Sequence, residues 1–545
     1  MPTLSTVPTL IKDDVNCKLL EEVTQQEIKE ALDQMHPDKA PGPDGFTARF
    51  YQHCWEIIKS DLTKMIKKSQ VSHKLGGGTN SAFLALIPKE KDALTFSRFR
   101  PISLCNTSYK ILAKVIANRL KNILPNIVPE NQGGFIKGRQ IADNIVLVQE
   151  ALHTSLGKKD KGMIIKLDLA NAFDRVNHNF LFAVMKKFGF DESFVNWIRA
   201  CINSPWIAPM VNGRATKFFK ASRGLRQGCP LSPLLYAIQA SVLSYQLEHA
   251  RITSNLKGLQ IAHGVKEINH AQFADDTLLL GGASSLVAKK FKDELDAYSS
   301  VSGSEISLGK SKIYSWNITP IEIRSISRIL GMEGLTNWDS FTYLGVPISK
   351  TNPKATHWNQ LLEKLKNRIA SWGANWLNLA GRIVLLKSVL ASVPIYRNSL
   401  LLAPGSVVTK LEMLQRKFLW EGGKQTNKRA HFISWDKVSK PILEGGLSLK
   451  NTKLQNLALG AKLLWRIISG KTAWCKEALW KKYFSGPRRR CVERLPTVQK
   501  GSPIFNLCRK VNEQFNSHLT WVPGNGKQIK KIGRASCRER VSIRV

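Results

Sequence analysis

The sequence predicts a mixed α/β protein whose strand-containing first part is followed by a mostly helical second part. Short apolar runs at 82–88 and 163–169 have the length of buried strands, and residues 272–281 have the pattern of two strands around a turn. From about residue 355 onward the pattern is mostly helical and rich in tryptophan. Strands that alternate with helices are typical of a mixed α/β core. Amphipathic or apolar helices are predicted at 18–36, 46–70, 108–124 and 232–249.

The turns between these elements are marked by glycine and proline. Residues 40–45 (APGPDG) predict a rigid turn, and 74–80, with three consecutive glycines, predict a loop. The helix at 108–124 has apolar residues on one face and basic residues elsewhere. Core packing of its apolar face is expected, and contact of its basic side with nucleic acid is compatible with that packing. The later tryptophans are interpreted as core residues rather than base-stacking platforms.

The charge balance indicates a polyanionic partner. The 545 residues include 81 Lys+Arg against 41 Asp+Glu, a formal net charge of +40. Phosphate backbones attract such a surplus, because each neutralised phosphate releases a counterion. An acidic membrane surface is the alternative. However, no apolar run is long enough to span a membrane, and the acidic N-terminal region does not resemble a secretory signal.

The nine cysteines are scattered, with no C-x-x-C pair and no zinc-ligand spacing. We therefore predict no disulfide framework and no zinc site, and we expect a reducing intracellular compartment.

Three carboxylates lie beside predicted buried strands, where burying a charge costs free energy. Asp168 ends an apolar strand, and Asp275 and Asp276 lie at a turn between two apolar runs. Near buried strands such groups need a partner or a metal ion. On adjacent strands they would offer hard oxygen ligands for Mg²⁺, and two such ions are the usual device for nucleotidyl transfer. A surface turn or a helix cap is the more common role of an Asp-Asp pair.

A series of motifs gives these carboxylates a context. In order they are FRPISL at 99–104, NQGGF at 131–135, KLD at 166–168 with AFDRV at 172–176, GLRQGCPLSP at 224–233, FADD at 273–276, KSK at 310–312 and YLGVP at 343–347. This order and spacing resemble the non-LTR (LINE-type) reverse transcriptases, in the form common in plant genomes. The resemblance extends from about residue 20 to about residue 530.

The resemblance implies a right-hand polymerase fold. It implies an N-terminal helical extension at 1–80, fingers and palm at 81–350, and a helical thumb and connector at 351–470. Residues 471–531 would begin a truncated C-terminal zinc-binding-type region. The chain would then be a fragment without the endonuclease and without complete zinc-binding and RNase H domains. The last residues, 532–545, resemble a translated sequencing adapter, with a genuine basic tail as the alternative.

The resemblance also assigns roles to residues of the palm. Asp168, Asp275 and Asp276 would be the catalytic metal ligands. Phe173 would be the aromatic floor that excludes a ribose 2′-hydroxyl, and Asp174 would be structural.

Further residues would surround the nucleotide and the primer. Gln227 would lie near the nucleotide and the template base, with Gly224 and Gly228 allowing the backbone to approach the substrate. Arg98 and Arg100 would meet the triphosphate, although either could be an ordinary surface arginine. Lys310 would be a general acid for the pyrophosphate, or a simple charge contact. The primer grip is predicted at Tyr343, Leu344 and Gly345.

The implied function is RNA-directed DNA synthesis from dNTPs on a primer 3′-hydroxyl. Mg²⁺ would be the cofactor, with Mn²⁺ as the alternative, and the partners would be an RNA template and a DNA primer or target. No membrane partner is expected. The resemblance implies an intracellular protein that acts in the nucleus, with a cytoplasmic ribonucleoprotein as the alternative. One other function stays open, an inactive transposon remnant that only binds nucleic acid. A maturase-like protein would share the palm chemistry, but the tryptophan-rich pattern after residue 355 and the FADD form of the acidic motif argue against it.

Overall fold

The computed structural model describes residues 2–90, 92–203, 205–253, 256–372, 377–422, 433–469, 477–484, 501–521 and 541–543. The chain divides into two compact units. The first comprises Met1–Ile141, Lys161–Gly258 and Ile268–Thr336, and the second comprises Ala142–Asp160, Leu259–Glu267 and Asn337–Val545. This division differs from the boundaries predicted at 80/81 and 350/351, and the predicted domains stay a prediction.

The first unit combines helices with two five-stranded sheets. Its strands are β1 Ser81–Pro88, β2 Phe99–Cys105, β3 Gly162–Leu167, β4 Trp206–Val211, β5 Arg214–Ala215, β6 Phe219–Lys220, β7 His270–Phe273, β8 Asp276–Gly282, β9 Lys312–Trp316 and β10 Glu333–Leu335. Its helices are Pro2–Ser5, Asp13–Leu20, Gln25–Asp33, Ala48–His53, Trp55–Ser72, Thr107–Lys121, Leu124–Ile127, His178–Phe188, Glu192–Ile202, Ser232–Thr253, Ser285–Ser302 and Pro320–Leu330.

The two sheets of this unit have different topologies. One has the order β2-β1-β4-β5, with β6 also paired to β4, and will be called the fingers sheet. The other, the palm sheet, has the order β10-β9-β3-β8-β7. In the palm sheet β3 lies between two antiparallel neighbours, β8 and β9. A central strand with partners on both sides is held along its whole length, so its carboxyl end is a rigid position for a functional group.

One face of the palm sheet is packed against helices. Ile165 of β3 lies between Leu279 of β8 and Ile313 of β9, and all three side chains are fully buried. They belong to a hydrophobic core that includes Phe180 and Leu235 from two of the helices. The apolar runs that predicted these buried strands therefore form the side of the palm sheet that packs into the hydrophobic core.

The predicted helix at 18–36 is wrong in its extent, because the chain is broken there into Asp13–Leu20 and Gln25–Asp33. The Thr24 side chain accepts a hydrogen bond from the backbone N–H of Glu27 and begins the second helix. The helix predicted at 46–70 is likewise two helices, Ala48–His53 and Trp55–Ser72, separated at Cys54. The predicted strands and the helices at 108–124 and 232–249 are confirmed within a few residues, including the strand–turn–strand at 272–281.

The second unit is mainly helical. Its helices are Ile141–Lys158, Asn359–Ser371, Leu379–Leu385, Ile395–Asn398, Gly405–Glu421, Trp435–Ser439, Thr452–Ser469 and Pro503–Ser517. Its strands are β11 Ser340–Tyr343 and β12 Val346–Ser349, which form one hairpin, and β13 Leu519–Trp521 and β14 Val541–Ile543, which form another. In the described part of the chain, no helix is long and apolar enough to cross a membrane.

A buried ionic cluster joins the elements of the second unit. Glu150 is fully buried, and it accepts hydrogen bonds from Lys482 Nζ at 2.7 Å, from the Tyr483 hydroxyl at 2.6 Å and from the Ser502 hydroxyl. Because removing one member would leave a buried charge unpaired, this cluster holds the helix Ile141–Lys158 to the C-terminal segments.

The tryptophans of this unit are partly in its core. Trp358 and Trp435 are buried, whereas Trp372, Trp420, Trp465 and Trp480 are half-buried. Trp376 and Trp474, and most of 471–545, lie outside the described residues.

Candidate active site

Strand register brings the predicted metal ligands to one edge of the palm sheet. Leu167, the last residue of β3, pairs with Thr277 of β8. Asp168 follows Leu167 and Asp276 precedes Thr277, so the two carboxylates stand at neighbouring positions on adjacent antiparallel strands. Asp275 lies one residue earlier, in the turn of the β7–β8 hairpin.

That turn is tight and strained. Phe273 pairs with Asp276, which leaves Ala274 and Asp275 as a two-residue connection. Ala274 has φ +58, in the left-handed region that favours glycine. Ala274 is buried, whereas Asp275 and Asp276 are exposed. The backbone conformation therefore turns the buried strands sharply and leaves the two acidic side chains accessible.

Asp168 is held by the segment that precedes β9. Its backbone N–H donates to Ser311 Oγ at 3.0 Å, and its carbonyl accepts from the Ser307 N–H at 2.8 Å. Lys310 Nζ lies 4.0 Å from Asp168 Oδ2, and its side chain is 77% exposed. Lys310 is thus beside a predicted metal ligand and free to reach toward a negatively charged substrate.

Like charges at this edge disfavour ionisation. Although Asp276 is accessible to solvent, partial desolvation at the sheet edge, followed by the neighbouring Asp275 carboxylate, raises its pKa above the usual range. Lys166 lowers this pKa, and Asp168 raises it further. Three acidic side chains close enough to influence one another are a typical setting for a divalent cation, because the cation neutralises their repulsion.

Asp276→Asn is expected to make the protein slightly more stable near neutral pH. A carboxyl whose folded-state pKa is raised contributes stability only when protonated, and that contribution is lost as the pH rises through the raised pKa. The variant removes the repulsion, so we expect Tm without divalent ions to rise by about 1–2 °C. Calorimetry of parent and variant checks this, and the difference should vanish below about pH 4, where the parent carboxyl is protonated as well. An equal or lower Tm near neutral pH would contradict it.

The donor set at this edge fits a hard divalent cation. Asp168, Asp275 and Asp276 offer only carboxylate oxygens, the ligands that Mg²⁺ and Mn²⁺ prefer. Within the described ranges, no three or more His, Cys, Asp or Glu side chains are arranged as a complete metal site.

An aromatic stack lies on the turn that follows Asp168. The ring of Phe173 stacks on Tyr236 at a centroid distance of 4.7 Å and an interplanar angle of 14°, and Phe135 meets Phe173 edge-on at 6.4 Å. Phe173 is half-buried and Tyr236 is buried. Because Tyr236 packs against one side of the Phe173 ring, the ring has a fixed position and could sterically exclude a substrate group on its other side.

Gln227 is tied to the same turn. Its side-chain amide donates to Asp174 Oδ1 at 3.3 Å, and its carbonyl accepts from the Ser103 N–H at 2.7 Å. Burial raises the pKa of Asp174, although the hydrogen bond from Gln227 and the charge of Lys89 lower it. This hydrogen bond orients Gln227, and the structural role of Asp174 stays a prediction.

The glycines around Gln227 allow close contact within the protein. A Cβ at Gly224 would lie 2.6 Å from the Asp174 carbonyl oxygen, and one at Gly228 would lie 2.7 Å from the Ser103 carbonyl oxygen. Their φ values, +90 and +116, also favour glycine. Glycine is required at both positions because it lets the Gln227 turn pack against neighbouring backbone. The predicted close approach of these glycines to a substrate stays a prediction.

The two predicted triphosphate ligands lie at the outer end of the fingers sheet. Arg98 forms an ion pair with Glu90 at 3.2 Å, and both side chains are more than half exposed. Arg100 is exposed on β2, opposite Ile87 of β1. Both guanidinium groups are accessible, and their predicted roles stay predictions.

The predicted primer grip belongs to the second unit. Leu344 and Gly345, with φ +48 and +78, form the turn of the β11–β12 hairpin. The Tyr396 hydroxyl donates to the Leu344 carbonyl at 2.8 Å, and Arg397 Nη2 donates to the Gly345 carbonyl at 2.9 Å. The Tyr343 side chain is buried, so of the three predicted residues Leu344 and Gly345 are the accessible ones.

Sequence reasoning missed two residues that shape this site. Gln132 is hydrogen-bonded to Ala274, and Ser311 accepts from the Asp168 N–H. Gln132 belongs to the NQGGF motif and Ser311 to the KSK motif, but a sequence motif does not reveal which residue a side chain contacts. Contacts across 142 and 143 residues of chain can be seen only once the sheet is assembled.

Comparison with known proteins identifies the domain that contains this site. Residues 87–348 match the sequence profile of the family described as reverse transcriptase (RNA-dependent DNA polymerase). This part of the chain is a reverse transcriptase domain. The palm sheet and its three aspartates lie within the matched residues, so the predicted right-hand polymerase class is confirmed.

Relatives of this reverse transcriptase domain occur in transposable elements. The transposon TX1 uncharacterized 149 kDa protein of Xenopus laevis is 29% identical over 435 residues, which cover 78% of this chain and 31% of that protein. The RNA-directed DNA polymerase from mobile element jockey of Drosophila funebris is 24% identical over 422 residues, covering 73% of this chain and 43% of that protein.

A third relative is the retrovirus-related Pol polyprotein from the type-2 retrotransposable element R2DM of Drosophila melanogaster. It is 26% identical over 257 residues, covering 47% of this chain and 23% of that protein. The prediction of a non-LTR reverse transcriptase is confirmed by these relatives. The chain spans less than half of the length of each of them.

Proposed function

We propose that the chain is an RNA-directed DNA polymerase that extends a DNA primer along an RNA template, using dNTPs as substrates. The observation that carries this proposal is the meeting of Asp168, Asp275 and Asp276 at one edge of the palm sheet inside a reverse transcriptase domain. Carboxylates that influence one another's ionisation at an accessible edge can serve nucleotidyl transfer with little further chemistry from the protein.

Asp168, Asp275 and Asp276 would hold Mg²⁺, with Mn²⁺ as the alternative. When bound, divalent ions at such a site activate a primer 3′-hydroxyl and neutralise charge on the triphosphate and the pyrophosphate.

The other residues would position the substrates. Phe173, supported by Tyr236, would form the surface under the incoming sugar. Gln227, oriented by Asp174, would lie beside the nucleotide. The exposed Lys310, next to Asp168, would contact the phosphate groups. Arg98 and Arg100 would supply guanidinium groups suited to bidentate contact with a triphosphate.

Primer extension tests this function. The full chain is incubated with a DNA primer annealed to an RNA template, labelled dNTPs and Mg²⁺, beside a sample that contains EDTA and a sample without template. We expect template-dependent DNA synthesis in the first sample alone. Synthesis that needs no template, or none in Mg²⁺ or Mn²⁺ while RNA is still bound, would contradict the proposal and favour a binding protein without activity.

Binding to RNA is expected to depend steeply on salt and little on sequence. The net charge of +40 provides many potential phosphate contacts. A protein that makes six to ten such contacts loses roughly 10³-fold or more in affinity between about 50 and 200 mM salt. Fluorescence anisotropy with two labelled RNAs of unrelated sequence measures the affinity for each RNA and its dependence on salt concentration. A flat salt response, or a large preference for one RNA, would contradict electrostatic binding.

The proposed setting is intracellular, in the nucleus, where target DNA would be available as the primer. The turn at Leu344–Gly345 would grip the primer end, and residues 351–470 would serve as thumb and connector. Synthesis primed on a nicked DNA duplex, tested in the same extension assay, would support this setting.

A further inference from the structure

The segment Asn131–Phe135 lies beside the hairpin that carries two of the acidic residues. Gln132 and Gln272 of β7 form an isolated parallel bridge. The Gln272 N–H donates to the Asn131 carbonyl at 2.8 Å, and the Gly133 N–H donates to the Gln272 carbonyl at 2.8 Å. The segment therefore continues the palm sheet beyond β7 by one short strand-like stretch.

The side chain of Gln132 reaches from this segment to the turn of the hairpin. It is fully buried. Its Oε1 accepts from the Ala274 N–H and from the Gly134 N–H, both at 2.9 Å, and its Nε2 donates to the Ala274 carbonyl at 3.4 Å. One amide thus contacts both backbone polar groups of Ala274.

Ala274 is the residue of the turn that most needs such support. Its φ of +58 is unfavourable for a residue with a Cβ. The next two residues in the chain are Asp275 and Asp276, so a change in the backbone at Ala274 would redirect both carboxylates. A strained conformation persists only where its surroundings determine it, and Gln132 supplies hydrogen bonds that do so.

Gly134 completes the contact from the other side. A Cβ at Gly134 would lie 2.5 Å from the Ala274 backbone nitrogen, so only glycine lets the segment pack this closely on the turn. Gln132 and Gly134 hold the same peptide by two independent means, a hydrogen-bonding side chain and the absence of a side chain.

From these contacts we infer that Gln132 is a positioning residue of the active site, which sets the Ala274–Asp275 turn and thereby the affinity of the acidic edge for divalent cations. The inference rests on the proposed function for the use of that edge. Gln132 touches no substrate in this account and acts only through the backbone of Ala274. Outer groups that orient metal ligands commonly change metal affinity by about 10- to 100-fold when they are removed.

The test compares Gln132→Met with a matched control, Gln239→Met. Both replacements keep the length of a buried glutamine and remove its hydrogen bonds. Gln239 is also fully buried in the first unit, but it donates to the Ser302 carbonyl, far along the chain from the hairpin. Gly134→Ala is the second variant, because it disturbs Ala274 and leaves the Gln132 amide in place. If Gln132→Met does not fold, Gln132→Asn keeps an uncharged amide and shortens the side chain by one methylene, which withdraws it from the Ala274 peptide.

Two readouts other than activity are measured on the full chain. Binding of Mn²⁺ alone is followed by the EPR signal of the free ion, with Asp275→Ala/Asp276→Ala as the baseline for unspecific binding. Hydrogen exchange of a peptide that covers 273–276 reports on the Ala274 amide. We expect Gln132→Met and Gly134→Ala to weaken specific Mn²⁺ binding about tenfold or more and to speed exchange at the turn. Gln239→Met should change neither.

The outcomes separate this inference from the proposed function. A folded Gln132→Met protein that binds Mn²⁺ within about twofold of the parent would overturn the inference, since Gln132 would then only fill space. In that case primer extension by the parent would leave the proposed function standing. If the parent shows no Mn²⁺ binding above the baseline, the inference and the proposed metal site are both overturned.

Discussion

Asp275→Asn is expected to reduce RNA-templated primer extension by at least about 100-fold, because it removes one carboxylate of the acidic edge while keeping the size of the side chain. The same loss is expected for Asp168→Asn and Asp276→Asn, since each stands at the same edge of the palm sheet. Asp276→Asn should combine this loss with the higher Tm predicted above. Single-turnover extension at saturating dNTP measures the effect on the chemical step.

The control for these variants is Asp296→Asn. Asp296 lies on the helix Ser285–Ser302, where it is exposed and paired with Lys292 at 3.1 Å. A surface ion pair of this kind contributes little to stability, so its loss should leave extension unchanged. RNA binding should be equal in all four variants and the parent. Activity within about tenfold of the parent in Asp275→Asn would remove this residue from the proposed metal site.

Phe173→Val is expected to let the enzyme accept ribonucleotides. The Phe173 ring stacks on Tyr236 and is half-buried, so a smaller side chain opens space on the substrate side without removing the support behind it. If the ring excludes the 2′-hydroxyl, the preference for dNTP over rNTP, expressed as the ratio of kcat/KM values, should fall by about 10- to 100-fold. The kcat/KM for dNTP should change much less.

Phe83→Val is the matched control for this change. Phe83 is also half-buried and also stacks on another ring, that of Phe218 at 6.0 Å, but it belongs to the fingers sheet. Its replacement should leave the ratio of the two kcat/KM values unaltered. Equal discrimination by Phe173→Val and Phe83→Val would mean that another group excludes the 2′-hydroxyl.

The strands and acidic residues of the site could be predicted from sequence because their signals are local. The apolar run before Asp168 and the two runs around Asp275 and Asp276 each have strand length. The Asp-Asp pair alone is a weak signal, and the family resemblance assigned it to a metal site. That Asp168 stands beside Asp276 was an expectation of the family resemblance, and the register of β3 with β8 places the two at neighbouring positions.

Features that depend on distant contacts could not be predicted in this way. The amide of Gln132 meets a peptide 142 residues away, and its sequence neighbours give no sign of that partner. Strand alternation turns the side chain of Tyr343 into the core of the second unit, whereas its assignment to the primer grip stays a prediction. The break between the helices Asp13–Leu20 and Gln25–Asp33 also escaped prediction, because a threonine cap is a weaker signal than apolar periodicity.

The chain's division into two units also follows from contacts rather than from local pattern. The helix Ile141–Lys158 precedes β3 in sequence, yet residues 142–160 belong to the second unit. Its buried Glu150 is paired there with Lys482, 332 residues further along the chain. Neither residue stands out in a sequence that is rich in lysine.

The role of the acidic edge in RNA-directed DNA synthesis is tested by comparing the parent with Asp275→Ala/Asp276→Ala on one RNA template with one DNA primer. RNA binding is measured in the same preparations. We expect Mg²⁺-dependent dNTP incorporation by the parent, none by the variant, and equal, salt-sensitive RNA binding by both. Incorporation by the double variant, or none by a parent that binds RNA in Mg²⁺ or Mn²⁺, would contradict the assignment of this acidic edge to RNA-directed DNA synthesis.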